Sequence, residues 1–131
     1  MDVKTGSGAF MPTLEGAREL AHSLAHVASS AGLPTIALIT DMNEPLASAA
    51  GNALEVLNAV DYLTGKKRDE RLHAVTRALG AQLLALGGVV SDAGEGGYVL
   101  DDCLASGAAA EQRDHALKTC LLYTSPSPRD S

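Results

Sequence analysis

Aromatic residues are almost absent from this sequence. It contains no tryptophan, one phenylalanine and three tyrosines in 131 residues, although 46% of its residues are hydrophobic. A core without large aromatic rings must be packed by alanine, leucine and valine, which suits closely spaced helices. The length allows one domain with one hydrophobic core. The composition therefore predicts a small, helix-rich unit.

Positive charge, cysteine and long apolar runs are also scarce. The formal net charge is −6 and the only basic run covers residues 66–68, whereas nucleic acids and anionic membranes are bound through clustered lysine and arginine. No stretch approaches the roughly 20 apolar residues that span a bilayer. Cys103 and Cys120 lack the spacing of a zinc knuckle or a disulfide framework. We therefore expect a cytoplasmic protein that binds neither nucleic acid nor membrane.

Hydrophobic periodicity and capping residues predict four helices. Apolar residues recur three and four positions apart, and glycine or proline separates the periodic segments. Thr13 is the expected N-cap of the first helix, and Val56 and Leu57 are expected to face inward in the second. The predicted helices cover residues 13–31, 47–63, 69–86 and 91–106.

The segment TIALIT, residues 35–40, is typical of a strand buried on both faces of a parallel sheet. Residues 1–4 resemble part of a second strand, since a lone strand leaves its backbone groups unpaired. We predict an α/β fold: a helix-rich fragment of a mixed or parallel sheet domain, with about four helices and one or two strands. Residues 1–112 are the partial α/β domain, and residues 113–131 are predicted to be a disordered, non-native tail.

The first segment that suggests chemistry is Lys4 followed by Gly6-Ser7-Gly8. A phosphate-binding P-loop needs its lysine after the glycines, so the order here is wrong. A dinucleotide-binding fingerprint fails as well, because its third glycine would fall at Met11. Taken alone, the segment predicts a flexible loop between a strand and a helix, with a solvated lysine.

Two histidines, His22 and His26, lie four positions apart on the first predicted helix. That spacing places two imidazoles on one face, where they could share a metal ion. The glutamate of the H-E-x-x-H motif is missing, because Ser23 follows His22. A histidine pair at the surface and a small metal protein both remain open readings of this pair.

Three ordered blocks resemble the thymidine phosphorylases, the pyrimidine nucleoside phosphorylases of the glycosyltransferase 3 superfamily. The blocks are MDVKTGSGAFMPT at the start, ALITDMNEPLASAAGNALEVLNAVDYLTG at residues 37–65, and VLDDCLASGAAAEQ at residues 99–112. The similarity covers residues 1–112, and in the family this segment lies in the middle of a much longer chain. The resemblance implies a pentosyltransferase: phosphate attacks the anomeric carbon of thymidine and releases the base and 2-deoxyribose 1-phosphate.

The resemblance assigns binding of the pyrimidine base to Lys4, and it assigns no catalytic residue within this segment. The family's phosphate loop, its base-binding arginine and its base-binding serine precede the matching segment. We therefore expect the isolated chain to be inactive, although the longer enzyme would act on a pyrimidine nucleoside and inorganic phosphate. The resemblance also implies that the full-length enzyme is a homodimer.

In some family members, a potassium ion near the phosphate loop is held partly by backbone carbonyls and a carboxylate. The matching positions here are Leu46 and Ala49 for the carbonyls and Asn58 for the carboxylate. A neutral amide is a weaker ligand than a carboxylate, so potassium is the one cofactor left open. The alternative is an ordinary helix N-terminus with Ser48 as the cap. At the level of the whole chain, a non-catalytic helical interaction module also remains open.

Overall fold

The computed structural model describes the backbone of residues 1–123 and the side chains of residues 1–117. The described part of the chain is an α/β unit of two strands and five helices. In chain order the elements are β1 (Asp2–Thr5), α1 (Leu14–Ser30), β2 (Leu38–Asp41), α2 (Asn52–Leu63), α3 (Glu70–Leu86), α4 (Ala93–Ser106) and α5 (Ala108–Tyr123). No described helix is both long enough and apolar enough to cross a membrane.

The two strands form a parallel sheet, as the sequence predicts. Asp2 lies opposite Leu38, and Lys4 lies opposite Thr40. Residues 35–37 were expected in the second strand but lie outside the ladder, because pairing begins where Leu38 meets Asp2. Both strands therefore end at the same edge of the sheet, and the loops that follow them start side by side.

Helix α1 covers one face of this sheet and forms a small core with it. Val3, Ala17 and Ala21 are buried, and Met11, Leu20 and Ile39 pack against them. Alanine at two of these positions lets the helix lie close to the strands. This packing holds β1 and β2 in register and so fixes their carboxyl ends.

Local capping explains where three helices begin. Thr13 accepts a hydrogen bond from the Gly16 amide before α1, as predicted, and Asp69 accepts from two amides of the first turn of α3. Asp92 accepts from the Glu95 amide before α4. Each side-chain oxygen satisfies donors that the first turn leaves unpaired. The predicted bounds of these helices therefore hold to within two residues.

Helix α2 differs from its prediction in its start and in its buried face. It begins at Asn52 rather than at residue 47, since Gly51 precedes it with φ 120°, which is not helical. Ser48 is not a cap but accepts a hydrogen bond from Lys67 at 2.8 Å. Val56 and Leu57, expected inside, are 57% and 59% exposed. Residues 42–51 therefore form an irregular connection with several bends after β2.

Helix α4 packs tightly on α3 through glycine. Gly96 and Gly97 are buried, and a Cβ added to Gly96 would lie 2.8 Å from the Ala81 carbonyl oxygen. The intrinsic helix penalty of glycine is small beside this contact between backbones. The glycines therefore allow two helices to touch.

The fifth helix corrects the predicted boundary of the tail. Residues 113–123, expected to be disordered, belong to α5. Its first part is rich in alanine, glutamate, glutamine and arginine, which are strong helix formers. The serine- and proline-rich composition that suggested disorder begins only near the end of this helix. The rest of the predicted tail, residues 124–131, lies outside the described residues.

Candidate functional site

The carboxyl ends of β1 and β2 bring together two loops that are far apart in the sequence. Lys4 and Thr40 are paired near the ends of the two strands. The loop after β1 contains Gly6 to Gly8, and the loop after β2 begins at Met42. In open α/β sheets, the crevice at the carboxyl ends of the strands is the usual place for a ligand.

Two neighbours hold the Lys4 ammonium group. Its Nζ lies 2.6 Å from Asp2 Oδ2 and 3.0 Å from Thr40 Oγ1. The Thr40 hydroxyl in turn donates to Asp2 Oδ1 at 2.6 Å. An ammonium group has three donors, and these contacts use two of them. The Lys4 side chain is 35% exposed, so its third donor is available to a ligand.

The environment of Asp2 keeps its carboxylate ionised beside the lysine. Burial alone would raise the pKa of Asp2, but hydrogen bonds from Lys4 and Thr40 and the nearby positive charges lower it below 3.8. The Lys4 ammonium therefore faces a charged partner at neutral pH. A charge-assisted contact of this length fixes the direction of the amine more firmly than a neutral hydrogen bond would.

A cavity of about 460 Å³ opens beside Lys4. Ser7 and Gly8 line it from the first loop, and residues 41–46 line it from the second. Its volume lies within the range of small-molecule sites, and its wall combines the Lys4 cation with the acidic residues Asp41 and Glu44 and with apolar side chains such as Met42 and Leu46. The arrangement suits a small ring compound with a polar edge that can accept a hydrogen bond.

The glycines after Lys4 are required by the neighbouring loop. The Ser7 amide donates to Asn43 Oδ1 at 3.0 Å, and the Gly8 amide donates to the Met42 carbonyl at 3.0 Å. A Cβ on Gly6 would lie 2.8 Å from Asn43 Oδ1, and Gly6 has φ +113°. Sequence order had excluded a P-loop here, and the structure shows instead two loops in close contact.

Arg71, in the first turn of α3, is a site-proximal residue that sequence reasoning missed. It forms ion pairs with Asp41 at 3.0 Å and Glu44 at 2.9 Å, and it donates to the Asp41 carbonyl at 3.0 Å. A cation is unfavourable at a helix N-terminus. An arginine at that position was therefore the available indication that acidic partners lie nearby.

The three residues assigned to a potassium site lie around one cavity. Leu46, Ala49 and Asn58 all line a cavity of about 570 Å³ near the start of α2. Glu55 lines the same cavity, and its Oε1 accepts a hydrogen bond from the Gly51 amide at 2.9 Å. Backbone carbonyl, amide and carboxylate oxygens are the ligand types that a hard cation takes. The donor set fits such an ion, and the site stays a prediction.

The histidine pair and the paired aspartates do not form a site. His22 and His26 are exposed on α1, and within the described residues no group of three histidine, cysteine, aspartate or glutamate side chains could hold a metal ion. Asp101 accepts from Arg77 at 2.9 Å, whereas Asp102 is exposed. The two carboxylates therefore have different surroundings, as their adjacent helix positions predict.

A polar cluster joins α2, α3 and α4 away from the strand ends. The Tyr62 hydroxyl lies 3.0 Å from His73 Nδ1, and His73 Nε2 lies 3.6 Å from Asp101. Burial raises the pKa of Tyr62 above its usual value of 10.0, partly offset by a hydrogen bond with Thr76. These polar contacts tie the three helices together, and His73 serves within them as a structural residue.

Comparison with known proteins confirms the resemblance seen in the sequence. Residues 1–110 match the family model described as glycosyl transferase family, a/b domain. The chain is 58% identical over 112 residues to proteins named thymidine phosphorylase from Burkholderia cenocepacia and Burkholderia orbicola, and 57% identical to one from Burkholderia lata. Each match covers 86% of this chain, which spans 26% of the length of each relative. The chain belongs to the glycosyl transferase family whose a/b domain it matches.

Proposed function

We propose that this chain is part of a longer enzyme that catalyses the phosphorolysis of thymidine and related pyrimidine deoxynucleosides. The reaction transfers the deoxyribosyl group to inorganic phosphate and releases the free base. The relatives named thymidine phosphorylase support this proposal. The observation that carries it is the position of the Lys4 ammonium, held at the carboxyl ends of two strands beside a cavity of about 460 Å³.

In this proposal, Lys4 stabilises the departing base. A phosphate oxygen forms a bond to the anomeric carbon while the bond from that carbon to the base nitrogen breaks. The electron pair of the broken bond moves onto the base, and negative charge spreads to its carbonyl oxygens. The third donor of Lys4 binds such an oxygen more strongly as the charge develops, which lowers the barrier. Asp2 and Thr40, at 2.6 and 3.0 Å, hold the ammonium in place.

The rest of the longer enzyme supplies the phosphate site in this proposal. Leu46 and Ala49 carbonyls and the Asn58 amide would hold a potassium ion, which would add positive charge beside the loop after β2. We further propose that the longer enzyme is a cytoplasmic homodimer that serves pyrimidine nucleoside salvage. The relatives' name supports the nucleoside and phosphate as substrates.

A chimeric enzyme tests the role of Lys4. Residues 1–112 of this chain would replace the 112-residue segment they match in the Burkholderia cenocepacia relative, and thymine release from thymidine and phosphate would be measured. We expect an active chimera in which Lys4→Ala lowers kcat by about 10²- to 10³-fold, the usual loss of one transition-state donor.

The matched control is Lys66→Ala, because the Lys66 side chain is 77% exposed and pairs with Asp61 at 3.3 Å, away from the cavity beside Lys4. This variant should retain the rate of the parent chimera. Equal rates for Lys4→Ala and the parent would contradict the proposal. So would equal losses in the Lys4 and Lys66 variants, since that result would indicate a general effect of removing a lysine.

A further inference from the structure

We infer that Arg71 is a positioning residue for the cavity beside Lys4. Arg71 does not line that cavity, but it binds the loop that forms one of its walls. The contacts between Arg71 and this loop are a matter of geometry alone. The effect of those contacts on catalysis rests on the proposed function.

The first link joins helix α3 to the loop after β2. Arg71 Nη2 lies 3.0 Å from Asp41 Oδ2 and 3.0 Å from the Asp41 carbonyl oxygen. Its Nη1 lies 2.9 Å from Glu44 Oε1. Nη1 also donates to the Pro45 carbonyl at 3.5 Å. A planar guanidinium that contacts four oxygens restrains both the position and the rotation of the loop. One helix residue therefore fixes both ends of the segment Asp41 to Glu44.

The second link passes from that loop to the glycine loop after β1. The other carboxylate oxygen of Asp41, Oδ1, accepts from the Asn43 amide at 3.1 Å and from the Asn43 side chain. Asn43 Oδ1 then accepts from the Ser7 amide at 3.0 Å. Arg71, Asp41, Asn43 and Ser7 thus form a continuous chain of polar contacts, which we call the Arg71 relay.

The relay reaches both walls of the cavity without touching the Lys4 ammonium. Asp41, Asn43 and Ser7 line the cavity, as does Lys4 itself. Loss of Arg71 should therefore shift the walls against which a base would be placed, while the contacts of Lys4 with Asp2 and Thr40 remain. When a change away from the reacting atoms displaces a bound substrate by about 1 Å, the rate can fall by roughly 10²-fold.

Amide hydrogen exchange in the complete 131-residue chain tests the relay itself. We expect Arg71→Gln to raise the exchange rate of the Ser7 amide about tenfold, as expected when a contact with a charged group that orders the loop is removed. Asn43→Ala, which removes the acceptor of the Ser7 amide, should raise it at least as much.

The matched control is Arg77→Gln. Arg77 lies on the same helix, is similarly exposed and pairs with Asp101 at 2.9 Å, so it loses an ion pair of the same kind. Unchanged exchange at Ser7 in Arg71→Gln, or an equal rise in Arg77→Gln, would overturn the relay. If Arg71→Gln fails to fold, Asp41→Asn breaks the same relay at a half-exposed side chain and decides the question in its place.

Kinetics of the chimeric enzyme test the catalytic consequence. Arg71→Gln should lower kcat/KM for thymidine about tenfold or more through kcat, Arg71→Lys should restore part of the loss, and Arg77→Gln should match the parent. The double variant Arg71→Gln/Asp41→Asn should be no worse than the more impaired single variant, because both act through one relay. Additive losses, or no loss in Arg71→Gln, would overturn the positioning role.

The two arms separate this inference from the proposed function. If Lys4→Ala leaves the chimera fully active, the assignment of Lys4 fails, and the exchange rates still decide whether the relay exists. If Lys4→Ala is inactive but Arg71→Gln is not impaired, the proposed function stands and the positioning role fails.

Discussion

At the scale of single residues, Gly6 and Gly8 are constrained by the loop that faces them. A Cβ on Gly8 would lie 2.7 Å from the Met42 carbonyl oxygen, and one on Gly6 would lie within 2.9 Å of the Asn43 amide nitrogen. Real Cβ atoms do not approach backbone atoms so closely. The glycines therefore allow the two loops to form their shared wall of the cavity.

Gly6→Ala should destabilise the chain more than Gly51→Ala does. Both glycines have similar positive φ values, 113° and 120°, so both variants incur backbone strain of about 1–3 kcal/mol. Only Gly6→Ala adds a collision, because nothing lies within 4 Å of a Cβ on Gly51. We expect an extra loss of about 1–3 kcal/mol in the free energy of unfolding, measured by urea titration at low protein concentration. Equal losses would show that the loops separate easily.

The candidate site residues differ in whether the sequence signal that points to each of them is local. Lys4 was predicted as a site residue because it belongs to a contiguous block that resembles a known family. Arg71 was not, because its partners Asp41 and Glu44 precede it by 30 and 27 positions, as the bonded pairs show. Only the folded chain brings them together. Residues that act through such partners remain invisible to motif analysis.

At the scale of elements, α3 and α4 form the most extensive contact between helices in the described part of the chain. A Cβ on Gly96 would meet the Ala81 carbonyl oxygen at 2.8 Å, whereas the atoms nearest to one on Gly80 belong to the Leu100 side chain, with a methyl carbon at 2.7 Å. Backbone cannot move aside without shifting a whole helix, but a leucine methyl group can change rotamer. Two glycines at the same interface therefore differ in how well they tolerate substitution by alanine.

Gly96→Ala should lower the free energy of unfolding by about 1–3 kcal/mol, the cost of overpacking. Gly80→Ala should be nearly neutral or stabilising, because alanine is better than glycine inside a helix by about 1 kcal/mol. Urea titration followed by circular dichroism would compare the two. Similar destabilisation by both would indicate that Leu100 is as immobile as the Ala81 backbone, contrary to this interpretation.

The accuracy of the predicted elements follows from how local their determinants are. Helices α1, α3 and α4 were located closely because the apolar periodicity and the glycine and proline breaks that predicted them are local signals. The caps Asp69 and Asp92, which the sequence analysis did not name, also act within one turn. The predicted start of α2 was wrong, because Lys67 and Arg71 hold the preceding loop through contacts between residues far apart in the sequence. Helix α5 was missed because the serine- and proline-rich composition near the C-terminus was taken to apply to the whole segment, including the helix formers at the start of α5.

At the scale of the whole molecule, much apolar surface is uncovered by the described residues. Leu54, Val56 and Leu57 of α2 are each more than half exposed, and Phe10 is 91% exposed. Contiguous exposed apolar surface usually marks a contact with other protein. This surface is compatible with a part of a longer enzyme and also with the alternative of a helical interaction module.

We expect the 131-residue chain to form oligomers that grow without a fixed size as its concentration rises. Its exposed apolar helix faces and its strand edges are different kinds of surface, so they do not combine into one interface that closes on itself. Light scattering should show a mass that grows with concentration. The double variant Leu54→Lys/Leu57→Lys should reduce this growth more than Ala53→Lys/Ala59→Lys, which adds the same charge to exposed positions of α2. A single defined oligomer with a sharp thermal transition would favour the interaction module instead.

The pairing of β1 with β2 has a consequence for how the cavity comes into being. Partners such as Asp2 and Leu38 are 36 positions apart in the chain, so the pocket exists only after a contact of high contact order has formed. A slip of one residue would turn the Lys4 amine to the opposite side of the sheet. Under the proposed function, molecules of the longer enzyme with misaligned strands would therefore not present the Lys4 amine to the base.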